Sequence, residues 1–69
     1  MFKTVKVKSS AIKTVSYNPE SRILRIEFTQ GREYDYPDVP EVEFKNLIGA
    51  ESVGKYYNQH IKSYSTVNR

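Results

Sequence analysis

The sequence predicts an α+β domain in which a small antiparallel sheet of three to four strands is followed by two C-terminal helices. Before Pro37, apolar and polar residues alternate in several short runs, which is the pattern of strands with one buried face. After Pro40, the apolar spacing changes to three and four residues, the period of a helix packed on one side. Because 69 residues supply one small core, we expect a single domain over residues 1–69.

Two strands are predicted before the first proline. The first is a basic strand over residues 2–8, and Ser9-Ser10 interrupts it because short hydroxyl side chains compete for backbone hydrogen bonds. A second strand is expected from about Ile12 to Tyr17. Strict alternation along this strand places three residues on one face: Lys13, Val15 and Tyr17.

The third strand has the clearest alternation in the chain. Asn18 and Pro19 begin a turn, since proline fixes φ and asparagine bonds its own downstream backbone. The strand then runs over residues 22–28. Its apolar face consists of Leu24, Ile26 and Phe28.

The loop between the third and fourth strands decides where Tyr34 and Tyr36 point. A two-residue loop at 30–31 would put both tyrosines on the solvent face, whereas a three-residue loop at 29–31 would put both on the core face. We favour the longer loop because it needs one left-handed residue, which Gly31 supplies. The two-residue turn would suit Asn or Asp before the glycine better than Gln.

Two helices are predicted after Pro37, which ends the fourth strand. The first runs from about Glu41 to Ile48, and Gly49 is expected to end it in a left-handed conformation. Ser52 caps the second helix. Helical spacing gives this second helix a buried stripe of Val53, Tyr57, Ile61 and Tyr64. The polar tail over residues 65–69 is expected to fray.

Composition argues against several classes of protein. The chain has no cysteine for disulfides and a single histidine, so we expect no metal site and no cofactor. No stretch approaches the roughly 20 apolar residues of a membrane span, and a membrane partner is not expected. The lack of cysteine is typical of a reducing compartment, so we expect a cytoplasmic protein.

An enzymatic role is not expected either. A serine nucleophile would need a base, and His60 is the one histidine that could serve. The glycines are too scattered for a phosphate-binding loop, and no spacing selects a pair of carboxylates for acid–base chemistry. We therefore predict no catalytic residue.

Charge is distributed unevenly, although the net charge is only +3. Residues 1–15 hold four lysines and no acid, residues 16–51 hold four basic and eight acidic side chains, and residues 52–69 hold three basic side chains and no acid. Basic ends around an acidic middle suit an anionic partner if the two ends meet in space. A solvated surface of mixed charge is the alternative.

One ordered set of residues carries a resemblance to a known family. The set is Ser9-Ser10-x-Ile12, Tyr17, Phe28-x-x-Gly31-x-x-Tyr34-x-Tyr36-x-x-Val39-Pro40, Phe44 and Ala50-x-Ser52-x-Gly54-Lys55-Tyr56-Tyr57-Asn58-x-x-Ile61. Over about residues 7–64 the chain resembles the KTSC domain, found at the C-terminus of some lysyl-tRNA synthetases and in small bacterial proteins. The resemblance implies no catalytic residue, and its synthetase context suggests RNA as a ligand.

The favoured function is a non-enzymatic module that binds RNA or single-stranded nucleic acid. Lysines would follow the phosphate backbone and tyrosines would stack on bases. The candidate residues are Lys6, Lys8, Ser10, Lys13, Tyr34, Tyr36, Lys55, Tyr57, Asn58 and Lys62. Two alternatives stay open: a module that self-associates or binds another protein, and a small protein that sequesters a nucleotide at the start of the second helix.

Overall fold

A computed structural model describes residues 1–64 and 66–68 and confirms the α+β class. The strands form one antiparallel sheet in which spatial order follows chain order. The elements are β1 (Lys3–Lys6), β2 (Ile12–Asn18), β3 (Ile23–Phe28), β4 (Glu33–Tyr36), α1 (Glu41–Ile48), α2 (Val53–Tyr56), a π-helical segment (Tyr57–Ile61) that continues α2, and β5 (Val67–Asn68). Three to four strands followed by two helices were expected, and β5 adds a fifth strand to the same sheet.

The β3–β4 hairpin has the three-residue loop that turn chemistry favours. Tyr34 pairs with Ile26 and Tyr36 pairs with Leu24, so both tyrosines share the core face of β3. The Phe28 N–H donates to the Arg32 carbonyl at 2.8 Å and closes the loop. Gly31 has φ 98°, the left-handed conformation that this loop requires and that glycine adopts without steric cost.

The helices cover one face of the sheet and form the core with it. α1 packs on β2, where the Phe44 ring stacks on Tyr17 at a centroid distance of 5.3 Å. The Tyr17 hydroxyl donates to the Val39 carbonyl at 2.6 Å, which satisfies a polar group inside an apolar core. The core residues are Ile12, Val15, Tyr17, Leu24, Ile26, Tyr36, Val39, Phe44, Leu47, Val53 and Ile61.

The opposite face of the sheet, here called the outer face, carries polar side chains. Its members include Thr4, Lys6, Thr14, Arg25, Glu27 and Asp35. The Arg25 guanidinium donates to the Asp35 carboxylate at 2.8 Å and 3.3 Å, and it lies 4.0 Å from the centroid of the Phe2 ring. These contacts tie three segments together on the face that the helices leave uncovered.

The predicted phase of β2 is wrong at its start. Val15 and Tyr17 are buried as expected, but Lys13 is exposed and its Nζ lies 4.0 Å from the Glu27 carboxylate. The register with β3 shifts between Ile12 and Thr14, which is a β-bulge. A bulge inserts one residue, so the side chains before it change face.

The predicted end of α1 is also wrong in conformation, although its bounds are confirmed. Gly49 has φ −92° and is right-handed. Its N–H donates to the Lys45 carbonyl at 3.1 Å, and the Ala50 N–H donates to Leu47 at 3.3 Å. Because a tightened last turn satisfies these carbonyls, the helix ends without a left-handed residue.

The C-terminal part of the chain departs from the expected α-helix and frayed tail. After α2 the backbone widens into π-helical turns, in which the Lys62 N–H donates to the Tyr57 carbonyl at 2.9 Å. Val67–Asn68, within the tail, pair with β4 opposite Tyr34 and Asp35. The rest of the tail expectation, at Ser65 and Arg69, lies outside the described residues. No helix of the described chain has the length and apolar character needed to cross a membrane.

Candidate nucleic-acid interface

The candidate site is built around the segment that joins β1 to β2. The Ser9 hydroxyl accepts the N–H groups of Ala11 and Ile12 at 3.2 and 3.3 Å, which turns the chain into β2. From the β3–β4 loop, the Thr29 hydroxyl donates to the Ser10 carbonyl at 3.1 Å and the Thr29 N–H donates to Ala11 at 2.9 Å. These bonds hold Ser10–Ala11 as a wall with a cleft on each side.

The first cleft, here called the aromatic cleft, has a volume of about 370 Å³. Three rings form its apolar side. The Phe28 ring meets Tyr34 and Tyr57 edge to face, with centroid distances of 5.7 and 5.5 Å. The remaining lining residues are Ser10, Ala11, Thr29, Gln30 and Arg32. Since all three rings are half-buried, each still presents part of its surface to the cleft.

Tyr36 does not line the aromatic cleft. Its side chain is fully buried, so it cannot stack on a base in the way that its place in the sequence suggested. Its hydroxyl lies 2.7 Å from the Tyr57 hydroxyl. Burial, and then the hydrogen bond to Tyr57, raises the pKa of Tyr36 well above its ordinary value. Tyr36 therefore stays neutral and holds the Tyr57 ring in place.

The second cleft, here called the polar cleft, lies on the other side of Ser10–Ala11 and has a volume of about 560 Å³. The segment that joins β1 to β2 and the start of α2 form its two sides. Ser52 caps α2 as predicted, because its hydroxyl accepts the Lys55 N–H at 3.3 Å. The lining residues are Lys8, Ser9, Ser10, Ala11, Glu51, Ser52, Val53, Gly54, Lys55 and Asn58.

The two clefts together, here called the groove, carry a positive charge. Lys8 and Lys55 line the polar cleft and Arg32 lines the aromatic cleft, and none of the three forms an ion pair within residues 1–64 and 66–68. Glu51 is the acidic residue among the lining side chains. The groove therefore holds cations that are available to an anion.

Six of the ten predicted site residues line the groove: Lys8, Ser10, Tyr34, Lys55, Tyr57 and Asn58. Lys6 and Lys13 lie at the outer face, and Lys62 is exposed beyond both clefts. Sequence reasoning missed Phe28 and Arg32. Phe28 was assigned to the core because it continues the apolar face of β3, yet it lies at the strand end, where the helices cover it only in part.

The groove offers flat apolar rings, hydroxyl and amide groups, and three cations. Rings suit the faces of nucleobases, and lysine and arginine suit phosphates. No group of three histidine, aspartate or glutamate side chains within the described residues is arranged to hold a metal ion.

The fold and the two clefts define a small α+β domain with one groove that is aromatic on one side and basic on the other among the described residues. The family model of the KTSC domain matches residues 8–64, which include every lining residue of both clefts. The chain belongs to the KTSC domain family.

Similar proteins agree with this assignment. A KTSC domain protein of known crystal structure from Yersinia pestis is 32% identical, with a TM-score of 0.92 over 100% of this chain and 99% of that chain. An uncharacterized protein from Stutzerimonas stutzeri is 38% identical over 60 residues, which are 87% of this chain and 84% of that protein. A lysine–tRNA ligase from Nostoc punctiforme is 38% identical over 61 residues, 88% of this chain but only 11% of the ligase.

Proposed function

We propose that this KTSC domain is a non-enzymatic module that binds single-stranded RNA along the groove. The observation that carries the proposal is that three aromatic rings and three cations, which form no ion pair within the described residues, line the clefts on the two sides of Ser10–Ala11. The similarity to a lysine–tRNA ligase, a protein named for an RNA substrate, supports RNA as the ligand class.

Base stacking supplies the apolar part of the binding. Tyr34 and Tyr57 are half-buried rings held by neighbours, Tyr34 by Phe28 and Tyr57 by the Tyr36 hydroxyl. A ring that is already fixed loses little conformational entropy when a base stacks on it. Such a contact contributes about 1–3 kcal/mol, and it tolerates any base because every base has a flat face.

Phosphate contacts supply the electrostatic part. Lys8 and Lys55 line the polar cleft, and Ser10 and Asn58, which also line it, can offer hydrogen bonds to a phosphate. Neutralising phosphates releases counterions, so the affinity is expected to fall as the salt concentration rises. A single strand is favoured over a duplex because its bases are free to enter the aromatic cleft.

The test is fluorescence anisotropy with a labelled single-stranded RNA of mixed sequence at low and physiological salt. The parent is compared with two double variants that remove equal charge. Lys8→Ala/Lys55→Ala acts in the groove, whereas Lys6→Ala/Lys13→Ala acts at the outer face. We expect the groove variant to weaken binding and to flatten the slope of log affinity against log salt by about 1.4, the value for two phosphate contacts to a single strand.

The matched variant distinguishes a site from a general effect of charge. If both double variants weaken binding equally, the groove is not the interface. If a mononucleotide competes as strongly as the RNA, the domain is a nucleotide-sequestering protein. Light scattering of the free protein in the same buffers reports any self-association.

A further inference from the structure

The shape of the groove limits the length of nucleic acid that it can hold. The aromatic and polar clefts share one wall, Ser10–Ala11, so a strand that lies in one enters the other within a nucleotide or two. The two surfaces therefore act on neighbouring parts of the same strand.

The aromatic cleft provides one stacking position. The Phe28 ring meets Tyr34 and Tyr57 edge to face, at 5.7 and 5.5 Å, so neighbouring rings are nearly perpendicular and do not form a row of parallel faces. A longer run of stacked bases would need further exposed rings in line with these. Other tyrosines are engaged elsewhere, because Tyr17 stacks on Phe44 in the core and Tyr56 stacks on His60.

The cations are equally confined. Three of them, Lys8, Arg32 and Lys55, line the groove. At the outer face, Arg25 bonds to Asp35 and Lys13 lies near Glu27, and the exposed Lys6 and Lys62 line neither cleft. A strand that left the groove over the sheet would meet acidic side chains that are already paired.

From this geometry we infer that the domain recognises a short unpaired segment of about three nucleotides, one cation to each phosphate and one base in the aromatic cleft. A duplex is bound only where it has an unpaired nucleotide, because a paired base cannot present its face to the rings of the aromatic cleft. The inference rests on the proposed function and specifies its substrate.

The experiment measures the affinity of the parent protein for single-stranded RNA of two, three, five and ten nucleotides. It adds a blunt duplex and the same duplex with one bulged nucleotide. We expect affinity to rise up to three nucleotides and then, after correction for the number of binding sites on a longer strand, to change by less than about threefold. The slope of log affinity against log salt should be about −2, the value for three phosphate contacts. We expect the bulged duplex to bind about tenfold more tightly than the blunt one, as one stacked base predicts.

The outcomes separate the two proposals. Affinity that keeps rising beyond five nucleotides, with a salt slope steeper than about −4, would overturn the short footprint and leave RNA binding in place. Equal affinity for the blunt and bulged duplexes would overturn the requirement for an unpaired base. Absence of binding to every RNA at low salt would overturn both the proposed function and this inference.

Discussion

The outer face of the sheet and the groove contain similar side chains but differ in what those side chains contact. At the outer face, the Arg25 guanidinium is bonded to Asp35 and covered by Phe2, and Glu27 accepts the Thr14 hydroxyl at 3.1 Å. In the groove, Lys8 and Lys55 have no carboxylate partner within the described part of the chain. Where cations lack a partner among the described residues is therefore a sharper basis for choosing a candidate surface than the net charge of +3.

The largest effect is expected at Gly31, which fixes the hairpin that sends Tyr34 to the groove side and Asp35 to the outer face. Gly31→Val should lower the free energy of unfolding by about 2–3 kcal/mol, because a β-branched residue resists positive φ. Outside the adjoining residues, no atom of the described chain lies within 4 Å of a Cβ at this position, so the cost is local backbone strain and not a clash with another segment. Gly31→Asn is the control and should cost less, since asparagine tolerates this conformation.

Urea denaturation of the two variants measures this difference. Equal stability of Gly31→Val and the parent would contradict the role of the left-handed residue.

Within the groove, Tyr34→Ala should weaken RNA binding by about 1–3 kcal/mol through the loss of a stacking surface. Tyr34→Phe should retain most of the affinity, because the ring remains. Phe2→Ala removes an aromatic ring from the outer face and should leave the affinity unchanged. Anisotropy titrations of the three variants test the contrast, and a loss of affinity in Phe2→Ala would mean that the outer face also contacts RNA.

At the outer face, Asp35→Asn should act on stability and not on binding. The substitution leaves a half-buried Arg25 charge without its carboxylate and should cost roughly 1 kcal/mol, since the pair is partly screened by solvent. The change should be seen as a lower urea midpoint with an unchanged affinity for RNA. A variant that keeps its stability but loses affinity would place Asp35 in the binding surface instead.

The smallest effect on stability is expected from alkaline pH. It should act on the side of the sheet that the helices cover and not on the outer face. Hydrogen bonding to Glu43 at 2.5 Å raises the pKa of Tyr56, and burial followed by the charge of Glu43 raises the pKa of Tyr64. The pKa values of both tyrosines in the folded protein lie above the ordinary value near 10. The stability that their protonated hydroxyls contribute is therefore complete below pH 10 and is lost as the pH rises through the folded pKa values. The hydrogen bond to Asp35 raises the pKa of Arg25, so the outer pair persists.

Thermal unfolding at several pH values, followed by tyrosinate absorbance, measures this loss. Tyr56→Phe/Tyr64→Phe should reduce the fall in stability above pH 10, and the part that remains is expected from Tyr36, whose pKa is raised by burial and then by its hydrogen bond to Tyr57. If the fall is the same in the double variant and the parent, these two hydroxyls are not its source.

The sequence predicted most of the fold because its signals are local. The left-handed Gly31 and the three-residue loop follow from turn chemistry, and the phase of β4 follows from the loop. The bulge at Ile12–Thr14 has only a weak local signal, because a regular strand would put Lys13 on the face of Val15 and Tyr17, and this conflict does not say which residue is inserted. The pairing of Val67–Asn68 with β4 depends on the position of a strand more than 30 residues earlier.

The candidate site was predicted only in part, because residue type is a local signal and the meeting of distant segments is not. Residue type identified Lys8, Tyr34, Tyr57 and Lys55 as able to bind nucleic acid. Their selection over Lys6 and Lys13 depends on which segments meet at Ser10–Ala11, and this is a property of the folded chain. Alternation along β1 gives the face of Lys6, but it does not show that the helices would leave that face uncovered.

The position of β1 at the end of the sheet has a consequence for the behaviour of the protein in concentrated solution. This strand carries Lys3 and Lys6, both exposed, along the rim of the described sheet. A second molecule that joined the sheet through its own β1 would bring ammonium groups against ammonium groups. Such repulsion opposes fibril growth and amorphous aggregation, so we expect the domain to remain dispersed at the concentrations that NMR spectroscopy requires.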